Sequence, residues 1–137
     1  MSVLKPPTIA DLRWTHALAF DATSGSASLT IDGDSREGPS PVQTLAISLA
    51  GCMSVDVAHI LSKGRNPFRA LRSRLTAERA QQDPHRFVRV TLAFTLEGSV
   101  PEDVVARAIA LSHDKYCSVW HSMRQDIDFT TTFEVRP

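Results

Sequence analysis

The side chains of this sequence with the most chemical potential are its two cysteines, Cys52 and Cys117. Asp56 and His59 follow Cys52 at one and two helical turns, so all three can share a face if the segment is a helix. A thiol buried in apolar surroundings is normally inert, whereas a thiolate is a nucleophile and a metal ligand. Cys52 is therefore either a core cysteine or a reactive one.

The second cysteine lies in the segment His113-Asp-Lys-Tyr-Cys-Ser-Val-Trp-His121. On one continuous helix, His113, Cys117 and His121 would line up at spacings of four. In a redox interpretation, one thiol attacks an oxidant and the other resolves the sulfenic acid as a disulfide. In a metal interpretation, both thiols and some of the histidines, His59 included, build a tetrahedral zinc site. The sequence has no close Cys-x-x-Cys pair, which disfavours the zinc site.

A basic segment with five arginines runs from Arg65 to Arg79. Such a run is typical of a solvated strand face. Arg79 has a sharper interpretation, because an arginine facing a buried thiol would favour the thiolate and bind the leaving oxygen of a peroxide.

One long helix, predicted over residues 40–61, must position Cys52. Ser40 is a good N-cap, Pro41 suits the first turn, and Gln43 completes a capping box. The helix is apolar almost all round, so little of it should face water. A short chain cannot cover such a helix from every side, and we therefore expect a second subunit.

The remaining elements follow from alternation and turn residues. Strands are predicted at 12–20, 27–32, 68–79, 87–96 and 127–135, with a hairpin turn at Ser24-Gly25-Ser26. Gly64 is the predicted C-cap of the long helix. A capping box from Ser99 to Glu102 opens a second helix that runs to about Tyr116, and residues 117–124 either continue it or restart as a short one. The order ββ-α-ββ-α-(α)-β predicts a single α+β domain over residues 1–137, with an antiparallel sheet packed on the long central helix.

Composition excludes several classes of partner. The 137 residues are 42% hydrophobic and 22% charged, with 15 basic and 15 acidic side chains. Zero net charge removes the electrostatic case for nucleic acid or an anionic membrane. The N-terminus lacks a secretory signal pattern, and Asp56 and His59 interrupt the apolar helix, so we expect a cytoplasmic protein that does not span a membrane.

A set of short motifs resembles the OsmC/Ohr family of bacterial proteins over residues 12–135. The motifs are Gly38-Pro-Ser-Pro41, Leu49-Ala-Gly-Cys52, Asp56-Val57, Ile60-Leu61, Lys63, Glu78-Arg79 and Tyr116-Cys117-Ser-Val. The resemblance implies an intertwined homodimer in which the long cysteine-bearing helices are buried between two sheets. It also implies a thiol peroxidase that reduces organic hydroperoxides, without a cofactor, and takes electrons from a dithiol, possibly of the lipoyl type.

The resemblance assigns roles to individual residues. Cys52 matches the peroxidatic cysteine and Cys117 the resolving one, so the cycle runs through a sulfenic acid at Cys52 and then a Cys52–Cys117 disulfide. Val42 and Gln43 stand where two branches of the family carry a glutamate, and with Asp56 they are the predicted substrate-binding residues. The active-site arginine of the early hairpin has no counterpart near Ser24-Gly25-Ser26, so Arg79 or Arg13 would have to substitute.

Two hypotheses therefore come from the sequence. The first is an OsmC-like peroxidase with a two-cysteine site at a subunit interface, active in the stress response. The second is a non-enzymatic binding or redox-sensing protein whose apolar dimer-interface pocket holds a hydrophobic ligand. The absent glutamate favours the second hypothesis, and the retained Cys117 favours the first.

Overall fold

The computed structural model describes residues 5–137, which form two compact units, residues 5–45 and 46–137. The long helix α1, Pro41–Lys63, begins in the first unit and continues into the second. The sequence led us to expect no secretory signal at the N-terminus. Residues 1–4, which are part of that segment, lie outside the described residues. That a single domain spans 1–137 stays a prediction.

The first unit contains a three-stranded antiparallel meander. Its strands are β1 (Asp11–His16), β2 (Ala19–Ser24) and β3 (Ala27–Asp32), in the order β1-β2-β3. The predicted hairpin is confirmed, with Gly25 supplying the left-handed φ of 59° at its turn. The single strand predicted at 12–20 is wrong, because the chain reverses at Ala17, whose φ is 48°.

A buried carboxylate organises the loop that leads from β3 to the long helix. The oxygens of Asp32 accept backbone N–H bonds from Asp34, Glu37 and Arg36 at 2.9, 3.0 and 3.3 Å. These bonds, that from Asp34 foremost, lower the pKa of the Asp32 carboxyl. Asp32 N–H also donates to the carbonyl of Pro39 at 3.0 Å, which fixes the path of the chain to Ser40.

The predicted capping box at the start of α1 is confirmed. Gln43 N–H donates to Ser40 Oγ at 3.1 Å, and Ser40 N–H donates to Gln43 Oε1 at 2.9 Å. At the other end, Gly64 N–H closes the last turn on Ile60 O at 3.0 Å. The left-handed residue that follows the helix is Arg65, with a φ of 60°, so the glycine cap predicted at Gly64 is wrong by one position.

Within the second unit, α1 buries one stripe and exposes the opposite face. The buried stripe has the four-residue spacing of a helix face and consists of Leu49, Met53, Val57 and Leu61. Ile47 and Val55 on the other side are 61% and 67% exposed. The expectation that little of the helix faces water is therefore not met within a single chain. By length and composition alone, α1 could also cross a membrane, a test that core helices of soluble proteins pass too.

The second unit holds a mixed sheet in the order β4-β5-β6. Its strands are β4 (Ala70–Arg79), β5 (Phe87–Glu97) and β6 (Asp128–Arg136). The β4–β5 pair is antiparallel and the β5–β6 pair is parallel, where the sequence predicted an antiparallel sheet. Alternate residues of β5 are buried, namely Val90, Leu92, Phe94 and Leu96. The predicted α+β class is confirmed, with two sheets in place of one.

Parallel strands need a long connection, and helix α2 (Glu102–Leu111) supplies it between β5 and β6. The capping box predicted from Ser99 is wrong, because Pro101 directly precedes the helix and no side chain caps it. Proline disfavours helical geometry at the residue before it, Val100, so the helix cannot start earlier. After α2 the chain makes a π turn (Ser112–Tyr116), becomes extended at Cys117, and restarts as a short 3₁₀ helix (Trp120–Ser122).

Candidate redox-active cysteine pair

Cys52 lies in the middle of α1, at the boundary between its buried stripe and its exposed face. It is half-buried, next to the fully buried Met53 on one side and the exposed Gly51 on the other. A side chain added at Gly51 would meet open space. Cys52 is therefore held by a rigid helix and is partly accessible to solvent.

Cys117 is fully buried at the point where the π turn ends. Its N–H donates to Ser112 O at 2.8 Å, and its carbonyl accepts the N–H of His121 at 3.0 Å. Its sulfur accepts the backbone N–H of Trp120 at 3.3 Å. The backbone and the sulfur of this cysteine are thus fixed by hydrogen bonds from three neighbouring residues.

The fold makes the two thiols neighbours, close enough for Cys52 to affect the protonation of Cys117. Both are free cysteines. Cys52 belongs to α1, and Cys117 follows α2 and the π turn along the chain. Burial, with a smaller contribution from the neighbouring Cys52, raises the pKa of the Cys117 thiol to about 11, against the opposing effect of the Trp120 N–H. Cys117 is therefore protonated at neutral pH and can donate its proton towards Cys52.

Asp56, one of the predicted substrate-binding residues, is tied to the element that carries Cys117. It is half-buried on α1, one turn after Cys52, and its Oδ2 accepts the hydroxyl of Ser112 at 2.7 Å. Ser112 is fully buried at the start of the π turn. Nothing in the local sequence around Ser112 signals a partner on another element, so this residue was not among the predicted ones.

Arg79 lies at the end of β4 and is exposed. Its Nε donates to the carbonyl of His85 at 2.8 Å, across the connection between β4 and β5. The structure therefore places its guanidinium against this connection, and its role beside Cys52 stays a prediction. Arg13, the other candidate, forms an ion pair with Asp21 between β1 and β2 of the first unit.

Val42 and Gln43 occupy the first turn of α1, in the first compact unit. The Gln43 side-chain oxygen accepts both the Ser40 N–H and the hydroxyl of Ser35, each at 2.9 Å. Val42 is half-buried. Two branches of the family that the sequence resembles carry a carboxylate at one of these positions. This chain instead has an apolar side chain and an amide whose oxygen takes part in capping the helix.

The histidines do not assemble a metal centre. His113 Nδ1 pairs with Asp114 Oδ1 at 2.8 Å, His121 Nε2 contacts His113 O at 3.0 Å, and His59 is exposed on α1. His113, Cys117 and His121 do not share one helix, because the helix ends before Cys117. Of the two alternatives left open for residues 117–124, the structure shows the restart as a short helix. Over residues 5–137, no group of three or more His, Cys, Asp or Glu side chains could hold a metal ion.

A groove of about 330 Å³ lies between α2 and β6, away from the thiol pair. Its lining includes Ala106, Ile109, Ala110, His113, Phe129 and Phe133. Neither cysteine contributes to it, so this groove is not an access path to the sulfur atoms.

Comparison with known proteins places this geometry in a family. The family model described as OsmC-like protein matches residues 32–132, a range that contains both cysteines. Protein YhfA of Escherichia coli (strain K12) is 35% identical over 129 residues, which span 92% of this chain and 96% of that protein.

Two solved structures share the fold. A hypothetical protein from Aquifex aeolicus VF5 superposes with a TM-score of 0.89 at 24% identity, covering 96% of this chain and 98% of that one. A Legionella pneumophila structure, described as an organic hydroperoxide resistance protein OsmC, predicted redox protein, regulator of sulfide bond formation, gives a TM-score of 0.67 at 13% identity over 97% of this chain and 100% of that one. Since the family model spans most of the chain and the fold matches end to end, the protein belongs to the OsmC-like family.

Proposed function

We propose that this protein is a thiol-dependent peroxidase that reduces organic hydroperoxides through Cys52 and Cys117. The observation that carries the proposal is the proximity of a half-buried thiol on a rigid helix to a fully buried, protonated thiol from another element. A structural relative bears the description organic hydroperoxide resistance protein, which supports the same substrate class.

The difference in burial assigns the two roles. Cys52 is the cysteine that a peroxide can reach, so its thiolate attacks the terminal peroxide oxygen. The O–O bond breaks, the leaving alkoxide takes a proton to become the alcohol, and Cys52 becomes a sulfenic acid. Cys117 is sealed from solvent and acts only on the oxidised neighbour.

The second step uses the proximity of the two sulfurs. Cys117 sulfur attacks Cys52 sulfur, and the hydroxyl group of the sulfenic acid leaves as water with the proton that Cys117 gives up. The product is a Cys52–Cys117 disulfide. An external dithiol, which we propose to be of the lipoyl type, then reduces it by thiol–disulfide exchange. The net reaction converts a hydroperoxide and a dithiol into an alcohol, water and a disulfide.

We further propose that a second copy of this chain covers the exposed face of α1. Ile47, Gly51 and Val55 repeat every four residues on that face, and the glycine leaves room for another backbone. Such a partner would also enclose Cys52 in apolar surroundings suited to an organic peroxide. Two free thiols are compatible with a reducing compartment, and we propose the cytoplasm.

The chemistry is tested by mixing reduced protein with one equivalent of cumene hydroperoxide or hydrogen peroxide. We expect faster loss of both thiols with the organic peroxide, with an intact mass that changes only by the loss of two hydrogens. Cys117→Ser should stop at an oxidised Cys52, and Cys52→Ser should keep its remaining thiol. Unchanged thiols under excess peroxide would refute the proposal.

Turnover with a dithiol separates the two hypotheses from the sequence. A peroxidase consumes hydroperoxide repeatedly when reduced lipoamide is supplied. A redox sensor would form the disulfide once and would not sustain the reaction.

A further inference from the structure

We propose that Ser112 is a positioning residue that sets the separation of the two thiols by linking α1 to the turn that carries Cys117. The inference rests on the proposed Cys52–Cys117 disulfide, although it does not require that a peroxide be the oxidant.

Ser112 makes two hydrogen bonds that point to the two cysteine-bearing elements. Its hydroxyl donates to Asp56 Oδ2 at 2.7 Å, and Asp56 lies one helical turn from Cys52. Its carbonyl accepts the N–H of Cys117 at 2.8 Å. These bonds therefore connect the two elements whose thiols are neighbours, and the connection passes through one buried serine.

The π turn determines where Cys117 stands in this connection. In an α-helix the Cys117 N–H would bond to the carbonyl of His113, four residues earlier, and the chain would continue as helix. Here it bonds to Ser112, five residues earlier, and the chain leaves the helix at Cys117. Single π turns inside or at the end of helices occur often at functional sites.

The carbonyl that the π turn leaves free has a partner of its own. His113 O contacts Nε2 of His121 at 3.0 Å, and the His113 ring stacks on Trp120 with centroids 5.8 Å apart. The wide turn is thus supported from the following segment as well. The link to α1, in contrast, depends on the Ser112 hydroxyl and the Asp56 carboxylate.

A bond to a carboxylate is stronger and more directional than a bond between neutral groups. Without the Ser112 hydroxyl, the turn keeps its backbone bonds but loses its anchor on α1. Displacing one reacting group by about 1 Å can lower the rate of a positioned reaction by about 10²-fold. The effective concentration of one thiol at the other should therefore fall.

The test measures the disulfide equilibrium of the whole protein in mixtures of reduced and oxidised dithiothreitol. We expect Ser112→Ala to lower the equilibrium constant for the Cys52–Cys117 disulfide by about tenfold or more, which corresponds to a midpoint change of about 30 mV. Ser118→Ala is the matched control, because it removes an exposed hydroxyl directly after Cys117. Its midpoint should equal that of the unmodified protein.

Two substitutions on α1 examine the same bond from its other end. Asp56→Ala removes the acceptor, so it should reproduce the effect of Ser112→Ala. If Ser112→Ala does not fold, Asp56→Ala takes its place in the test. Asp56→Asn keeps an oxygen that can accept the Ser112 hydroxyl, so it should lose less than Asp56→Ala. Circular dichroism and thermal melting establish that each variant is folded.

A kinetic readout separates positioning from general loosening. After one equivalent of cumene hydroperoxide, formation of the Cys52 sulfenic acid should keep its rate in Ser112→Ala, whereas its conversion to the disulfide should slow by about tenfold or more. Folded variants at both positions with the unmodified midpoint would overturn the proposal. Inertness of the protein towards peroxide would refute the peroxidase alone, because the dithiothreitol equilibrium does not involve peroxide.

Discussion

The protonation of Cys117 should control the rate at which the disulfide forms. This thiol is fully buried, and burial raises its pKa from an ordinary 9.0 to about 11. The attacking species in disulfide formation is the thiolate, so the resolving step must wait for the Cys117 proton to leave. Burial is the largest cause of the shift and persists when Cys52 is oxidised.

The size of the effect follows from the two pKa values. At pH 7 a thiol with a pKa of about 11 is ionised in ~1 molecule in 10⁴, against ~1 in 10² for a pKa of 9.0. The more basic thiolate is intrinsically the better nucleophile, by about eightfold for a Brønsted coefficient of 0.4–0.5. The resolving step should therefore be slower at pH 7 than with an ordinary thiol, by at most about tenfold because oxidation of Cys52 removes its part of the shift. Its rate should rise about tenfold per pH unit up to the pKa of Cys117.

The assay is a single turnover followed over pH. Reduced protein is mixed with one equivalent of cumene hydroperoxide, quenched in acid at set times, and analysed by intact mass for sulfenic acid and disulfide. The logarithm of the disulfide-forming rate should rise with unit slope from pH 7 to pH 10. Cys117→Ser should form no disulfide at any pH, and circular dichroism checks the fold at each pH. A rate that levels off below pH 9 would refute the reasoning, because it would mean that a base removes the proton or that Cys117 is not sealed from solvent.

Three further predictions concern α1. Ser40→Ala removes the acceptor of the Gln43 N–H and should lower the free energy of unfolding by about 1 kcal/mol in urea titrations, whereas Ser26→Ala in an exposed turn should change it by less than about 0.5 kcal/mol. Met53→Ala empties a fully buried site and should cost about 2–5 kcal/mol in the same measurement. Val55→Glu places a charge on the exposed apolar face and should convert the proposed dimer into a monomer in analytical ultracentrifugation; a retained dimer would locate the interface elsewhere.

The parts of the fold that the sequence predicted well are those that local chemistry determines. The Ser40–Gln43 capping box needs only residues three apart, and both of its hydrogen bonds form. The turn at Gly25 needs one residue that tolerates a left-handed conformation. Strand β3 and the alternation of β5 similarly follow from period-two patterns within a few residues.

The errors arose where the chain departs from such local signals. Ala17 adopts a left-handed φ that alanine does not signal, so the alternation from 12 to 20 concealed a turn. At the start of α2, the Ser99-x-x-Glu102 spacing imitated a capping box. Pro101 is already the residue before the helix, which leaves Ser99 too far from the first turn to cap it.

The candidate site was also predicted in part and missed in part. The resemblance to a family pointed to Cys52 and Cys117, and the structure makes their thiols neighbours. The role of Ser112 could not be predicted, because its partner, Asp56, is 56 residues away in the sequence and Ser112 itself belongs to no short motif. The π turn could not be predicted either. Whether the backbone forms α or π hydrogen bonds here depends on contacts with residues outside the turn.

The first turn of α1 lacks the carboxylate that the resemblance to the family predicts, and this affects how the protein can work. A carboxylate in the first turn of α1 would bring a charge, whereas Val42 is apolar and the Gln43 oxygen accepts bonds from Ser40 and Ser35. That amide stabilises the helix start and cannot act as a base. Asp56 is the carboxylate on the helix turn next to Cys52. One of its oxygens already accepts the hydroxyl of Ser112. In the proposed cycle, the reaction therefore depends on the placement of the two sulfurs, and its rate should be more sensitive to the Ser112 link than to any residue of the first helical turn.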